Sequence, residues 1–255
     1  MKVFFATYSD VVKFNRKPNE DYFLISKKYP VFAVADGVTR GIFKDKRYAY
    51  PAGAHAAAEI FCFTVVESFE KAHKNNNLLG VDPNRLFREA FDGANQRIRE
   101  LNENEGRIEN HDWYANDYFD CVGVAGFFNQ SVLHYGYVGD CGLAIFDKDN
   151  NLKFQTKDQV ALSPHHKEME QVAKGKNWDH AERLAYAHEH YRNHPSGKYY
   201  GTFSGEEGVK NYYQIGSQKI QEGDLVNFYS DGFVGYLESK EFLRIIRQGD
   251  KAALD

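Results

Sequence analysis

Apolar positions run together, then space out at helical intervals, then run together again along this chain. KVFFATYS and DYFLISKK read as two strands near the start. YPVFAVADG (29–37) is nearly continuous in apolar residues, as expected of a strand covered on both faces. The next stretch, 51–73, places Ala57, Ile60, Phe61, Val65 and Phe69 at helical spacing behind Pro51, a residue suited to a first helical turn. A clearer helix is predicted over 82–104. Asp82 can cap it, Pro83 fits its first turn, and Leu86, Phe87, Ala90, Phe91, Ala94, Ile98 and Leu101 form one stripe for core packing.

From residue 120 the pattern returns to four short apolar runs, divided at Asn129-Gln130, Gly139-Asp140 and Asp147 to Asn151. Spacing this close predicts an antiparallel meander, because parallel strands need long crossovers. A polar stretch, 157–200, follows. DLVNFYSDGFVGYL then repeats the theme of a strand that ends on Asp-Gly, and SKEFLRIIRQ reads as a last helix capped by Ser239. This order points to an α+β fold with helices packed on antiparallel sheets, in a single domain over 1–255.

Composition narrows the functional classes. The 255 residues are 42% hydrophobic and 15% aromatic, enough for a substantial core. The net charge of −4 gives no basic excess for nucleic acid. No apolar run approaches the roughly 20 residues of a membrane span, and MKVFF is too short for a signal-peptide core. Cys62, Cys121 and Cys141 are odd in number and widely spaced, so they read as buried free thiols in a reducing compartment. A cytoplasmic monomer is expected.

The chemistry concentrates where strands end on acids: Asp36-Gly37, Gly139-Asp140 and Asp231-Gly232, with Glu20-Asp21 opening a fourth strand. Asp-Gly is also a common turn pair. In FAVADG and VNFYSDG, however, the acid directly ends a hydrophobic strand, and a buried carboxylate is costly unless paired or bound to a metal. Several carboxylates gathered together become favourable around hard divalent cations, and an all-oxygen donor set suits Mg²⁺ or Mn²⁺ rather than zinc. Arg16, four residues before Glu20, can hold two oxygens of a phosphate at once.

In these motifs the sequence resembles the PPM (PP2C-type) metal-dependent serine/threonine protein phosphatases, in their bacterial-type form. RKPNED resembles the family's Arg-x-x-x-Glu-Asp opening, FAVADGVTRG its Val-x-Asp-Gly-x-Gly-Gly motif and YGYVGDCGLAIF its Gly-Asp-Ser-Arg strand. QTKDQV, YGTFSGEE and GDLVNFYSDGFVGYL resemble its Thr-x-Asp-His, Leu-Thr-Gly and terminal Ser-Asp-Gly segments, in the same order. The resemblance implies a four-layer αββα sandwich, two antiparallel sheets flanked by helix pairs. It implies hydrolysis of phosphoserine or phosphothreonine in a protein substrate by a metal-activated water at a dinuclear centre. Arg16 would bind the phosphate. Asp36 and the Gly37 carbonyl, Asp231, Glu20 and Asp21 would hold two Mn²⁺ or Mg²⁺ ions, with Asp140 near a possible third. After the insertion a further metal-binding acid is expected, with Glu206 favoured over Glu207.

The chain also departs from the pattern. Val38 stands where many eukaryotic members carry a histidine, Cys141 and Gly142 replace Ser-Arg, and Gln159 replaces a histidine. These changes leave two alternatives open, a weak or inactive pseudophosphatase that serves as a binding module and a small-molecule phosphohydrolase. Six histidines between 165 and 194 lack zinc spacing and read as a surface feature of a flap-type insertion, where substrate choice is often set.

Overall fold

A computed structural model describes residues 19–38, 51–74 and 82–248. Strands β1 (Tyr22–Ile25) and β2 (Val31–Gly37) lead to two long helices, α1 (Pro51–Lys74) and α2 (Pro83–Asn104). Four strands follow: β3 (Cys121–Asn129), β4 (Val132–Val138), β5 (Gly142–Phe146) and β6 (Leu152–Gln155). The segment from 157 to 200 carries α3 (Gln159–Leu162), α4 (His165–Ala173) and α5 (His180–His190). After a 3₁₀ turn at Glu207–Tyr212 come β7 (Gln214–Lys219), β8 (Leu225–Tyr229), a 3₁₀ segment at Asp231–Glu238 and α6 (Lys240–Gln248). The expected strand KVFFATYS and Arg16 lie outside the described residues.

Both sheets are antiparallel. The larger has the order β1-β2-β3-β4-β7 and the smaller the order β6-β5-β8. Along β2, Val31, Ala33 and Ala35 sink into a core shared with Phe61, Val65 and Phe69 of α1 and Phe87, Phe91 and Ile98 of α2. The alternate residues face the other way, as the two-residue period of a strand requires. Phe32 stacks on Phe228 of β8, and Val34 joins Val124, Leu133, Tyr135, Leu143 and Ile145 between the sheets. A third cluster, Ala144, Phe146, Tyr229, Leu237 and Leu243, covers the far side of the smaller sheet with the 3₁₀ segment and α6. The layers are therefore helix, sheet, sheet, helix, with a short 3₁₀–helix pair on the far side.

The expected caps form. The Asp82 side chain accepts from the Asn84 amide at 3.0 Å, and the Ser239 hydroxyl accepts from the Phe242 amide at 3.2 Å. The expected meander does not run on as one sheet. β3 and β4 make a hairpin in the larger sheet, and the chain crosses at Gly139-Asp140 to β5 in the smaller one. Gly139 makes the crossing with φ +85°, a region that costs a side-chain residue dearly, and a Cβ there would sit 2.3 Å from Val122. The polar stretch is also more ordered than its composition suggests. Asp179 and Glu182 form a capping box at the start of α5. Of the six histidines, His165 and His188 are buried, which corrects a uniform surface reading. All three cysteines are free and buried. Among the described residues, no helix is long and apolar enough to cross a membrane.

Candidate active site

Strand register gathers the predicted acids. Tyr22 pairs with Ala35, so Asp21 and Asp36 stand opposite each other at the open end of β1 and β2. Tyr22 and Leu24 pack toward the helices, and Ala35 does the same. By alternation, Asp21 and Asp36 therefore face the smaller sheet. From that sheet, Ser230 at the end of β8 donates its hydroxyl to Asp21 Oδ2 at 2.8 Å, and Asp231 follows it in sequence. Asp140 arrives from the crossing between β4 and β5. Four acids thus converge at one end of the sandwich, two from each side or its crossing point.

Their electrostatics record the crowding. Burial raises the Asp36 carboxyl well above the usual range, and the Asp21 and Asp231 charges, a hydrogen bond with Asp21 and the Asp140 charge push the same way. Burial, then Asp231 and Asp158, lifts Asp140 to about 6 against hydrogen bonds from backbone amides. Such a set of mutually repelling oxygens fits a hard divalent cation, which neutralises the repulsion and accepts oxygen ligands. Among the described residues, no three His, Cys, Asp or Glu side chains stand in a ready-made metal cage. Asp21 and Asp36 turn toward each other, with Asp21 Oδ2 also taking the Ser230 hydroxyl.

Backbone close to the acids is tightly held. A Cβ on Gly37 would lie 2.7 Å from the Ala54 carbonyl carbon and oxygen, so only glycine lets α1 approach this strand end. Val38 N donates to Asp120 O at 3.0 Å, extending the β2–β3 ladder past Gly37. Glu20 is buried beside Asp21. On the other side, Gln159 fixes the turn that carries Asp140. Its Oε1 accepts from Gly139 N at 2.6 Å, its own amide donates to Gly139 O at 3.1 Å, and its Nε2 donates to Tyr212 O at 2.8 Å. Burial pushes the Cys121 and Cys141 thiols well up, so both stay protonated and serve as packing.

Glu206 has a different setting. Its Oε2 accepts from Arg192 Nε at 2.9 Å, Asn193 Nδ2 at 3.0 Å and Ser204 Oγ at 2.7 Å. The same Arg192 makes a two-pronged contact with Asp117, Nη2 to Oδ1 at 2.9 Å and Nη1 to Oδ2 at 3.0 Å, and reaches Asp120 Oδ2 at 3.2 Å. His188 Nδ1 lies 2.6 Å from Asp117 Oδ2, and Trp113 and Tyr118 flank the guanidinium. Burial opposes the Arg192 charge, but Asp117, Glu206 and Asp120 outweigh it and hold its pKa above the ordinary range. The sequence reading missed this network. Its only local signal was an arginine two residues before a histidine and three before a proline, in an otherwise polar stretch.

No family model and no curated protein matches the chain. Solved structures do. The catalytic domain of the serine/threonine protein phosphatase PstP in complex with two manganese ions aligns at TM-score 0.56 and 18% identity, over 91% of this chain and 79% of that one. The Mycobacterium tuberculosis phosphatase PstP/Ppp aligns at 0.54 and 19%, covering 92% and 86%. A serine/threonine phosphatase of S. agalactiae aligns at 0.56 and 15%, covering 92% and 89%. The arrangement of two antiparallel sheets between helices is thus matched across nearly the whole length of this chain. The chain has the fold of the PPM (PP2C-type) serine/threonine phosphatases.

Proposed function

We propose that this chain is a metal-dependent phosphatase that hydrolyses phosphoserine or phosphothreonine in protein substrates. The observation that carries the reading is the convergence of Asp21, Asp36, Asp140 and Asp231, where burial first and then the neighbouring acids raise the Asp36 carboxyl. Asp36, the Gly37 carbonyl, Asp231, Asp21 and Glu20 would hold two divalent cations, Mn²⁺ or Mg²⁺, with Asp140 beside a third. Bound there, such cations would neutralise phosphate charge and lower the pKa of a water, so that it could lose a proton and supply hydroxide as the nucleophile toward phosphorus. Asp36 and Asp21 fix where that charge sits, because opposed strand positions hold both carboxylates on rigid backbone. Ser230 orients Asp21, and Gln159 orients the Asp140 turn. Arg16 is proposed to bind the substrate phosphate. Glu206 is left out of the ligand set because three donors already engage one of its oxygens.

That last feature also supports a second reading, a cation-binding module with little turnover. The deciding experiment measures Mn²⁺-dependent phosphate release from a phosphothreonine peptide, with p-nitrophenyl phosphate and a nucleotide alongside. Release that requires Mn²⁺ and favours the peptide supports the phosphatase. Mn²⁺ binding without release supports the module. Equal activity of wild type and Asp36→Asn sinks the site assignment.

A further inference from the structure

The buried cation of the insertion stands one residue from the strand end proposed to hold metal. Asp120 lies between two anchors. Its carbonyl accepts from the Val38 amide, next to Gly37, and its carboxylate Oδ2 accepts from Arg192 Nη1 at 3.2 Å and Thr202 Oγ1 at 3.0 Å. The neighbouring Cys121 pairs with Gly37 on one side and exchanges two backbone hydrogen bonds with Phe203 on the other, at 2.8 and 3.2 Å. Arg192 is itself fixed by two contacts with Asp117, one with Glu206 and the rings of Trp113 and Tyr118. Asn193 continues the clamp, with its Nδ2 donating to Thr202 O and Ser204 Oγ and its Oδ1 accepting from Thr202 N.

We propose that Arg192 is a positioning residue for the metal centre: through Asp120 it sets where the Gly37–Val38 backbone, and hence the Gly37 carbonyl and Asp36, stand. The proposal rests on the reading of Asp36 and Gly37 as cation ligands. A guanidinium suits this task because its planar fork spreads donors from Nε to both Nη atoms, reaching Glu206 and Asp120 while holding Asp117 by two prongs, a geometry that the single nitrogen of an ammonium does not reproduce. Without it, buried carboxylates on both sides of Phe119 lose their shared cation, and the 117–120 backbone that carries Val38 must adjust. Groups that orient metal ligands from behind commonly change metal affinity by about 10- to 100-fold.

The test compares wild type with Arg192→Gln, Arg192→Lys, Thr202→Val and Glu168→Gln. Glu168 bonds Lys198 and Tyr199 within the insertion and serves as the control away from the clamp. Two quantities are read well below each variant's Tm. One is the Mn²⁺ dissociation constant, from the electron paramagnetic resonance signal of free ion. The other is the exchange rate of the Val38 amide. Arg192→Gln should weaken Mn²⁺ by about tenfold and speed Val38 exchange, Arg192→Lys should resemble it despite keeping the charge, and Thr202→Val should show a smaller loss. Glu168→Gln should match wild type. A folded Arg192→Gln with wild-type affinity and wild-type Val38 exchange overturns the proposal. If Arg192→Gln does not fold, Thr202→Val decides in the same way. If wild type itself binds no Mn²⁺, the metal-site reading fails, and unchanged Val38 exchange in the variants then overturns the positioning claim separately.

Discussion

Two groups of acids sit near the same end of this sandwich and are handled in opposite ways. Around Arg192, the carboxylates of Asp117, Asp120 and Glu206 converge on one guanidinium that is itself fully buried. Around Asp36, the described carboxylates face one another, and burial and repulsion raise Asp36 and Asp140. A protein can keep buried acids together by supplying the counter-charge from its own chain or by leaving it to be bound. The first solution holds structure in place. The second, on the reading proposed here, would store an affinity for cations, and this is why the lower-cost arrangement on electrostatic grounds is not the one read as catalytic.

The contrast can be broken most forcefully at its internal cation. Arg192→Met should destabilise the fold by about 3–5 kcal/mol, because Asp117, Asp120 and Glu206 lose the guanidinium they share. Urea denaturation in chelator would read this, and a loss under about 1 kcal/mol would show that the network carries little stability. Asp36→Asn should do the reverse. Phosphate release should fall on the order of 100-fold or more, while Tm in chelator holds or rises because one repelling charge is gone. A fall in Tm as large as that of Arg192→Met would mean that both clusters are structural.

Cation addition separates the two regions without mutation. At a Mn²⁺ concentration of about 100 Kd, wild type should gain about 2.7 kcal/mol of stability, and Asp36→Asn should gain much less. Comparable gains in both would place the binding elsewhere. The smallest effect concerns His165, a buried imidazole on α4. Burial and then His166 lower its pKa to about 4, below the ordinary value of 6.5. The folded form keeps His165 neutral, so its contribution is intact above pH 6.5 and is lost as pH falls through that value toward 4. The pH dependence of Tm between 6.5 and 4 should be shallower in His165→Phe than in wild type. Parallel curves would remove His165 from the acid response.

Much of this was legible in the chain because the information was local. The β2 run, the α2 stripe and its Asp82 cap, and the acids at strand ends each reside within a few adjacent residues. The split meander was harder to read. A turn within one sheet and a crossing between two sheets look alike at Gly139-Asp140, and only the packing of β5 against β8 distinguishes them. β7 was missed because QIGSQK offers one large apolar residue and borrows its stability from pairing with β4. The Arg192 network was invisible for a deeper reason. Asp117, Asp120, Arg192 and Glu206 are scattered over ninety positions, and each alone resembles a solvated loop charge. Glu206 illustrates this: sequence order along the chain offered it as a metal ligand, and the structure adds contacts of its Oε2 with Arg192, Asn193 and Ser204 that no local pattern signals.

The 157–200 segment leaves the smaller sheet at β6 and rejoins the larger one at β7. Its Gln159 grips the Gly139 crossing, and its Arg192 grips the Asp120 corner. It works as a hasp across the two leaves of the sandwich. Asp21 and Asp36 ride on one leaf, Asp231 on the end of the other. On the metal-site reading proposed above, displacing this hasp would change the gap between opposing members of the acid set and with it the fit of an ion.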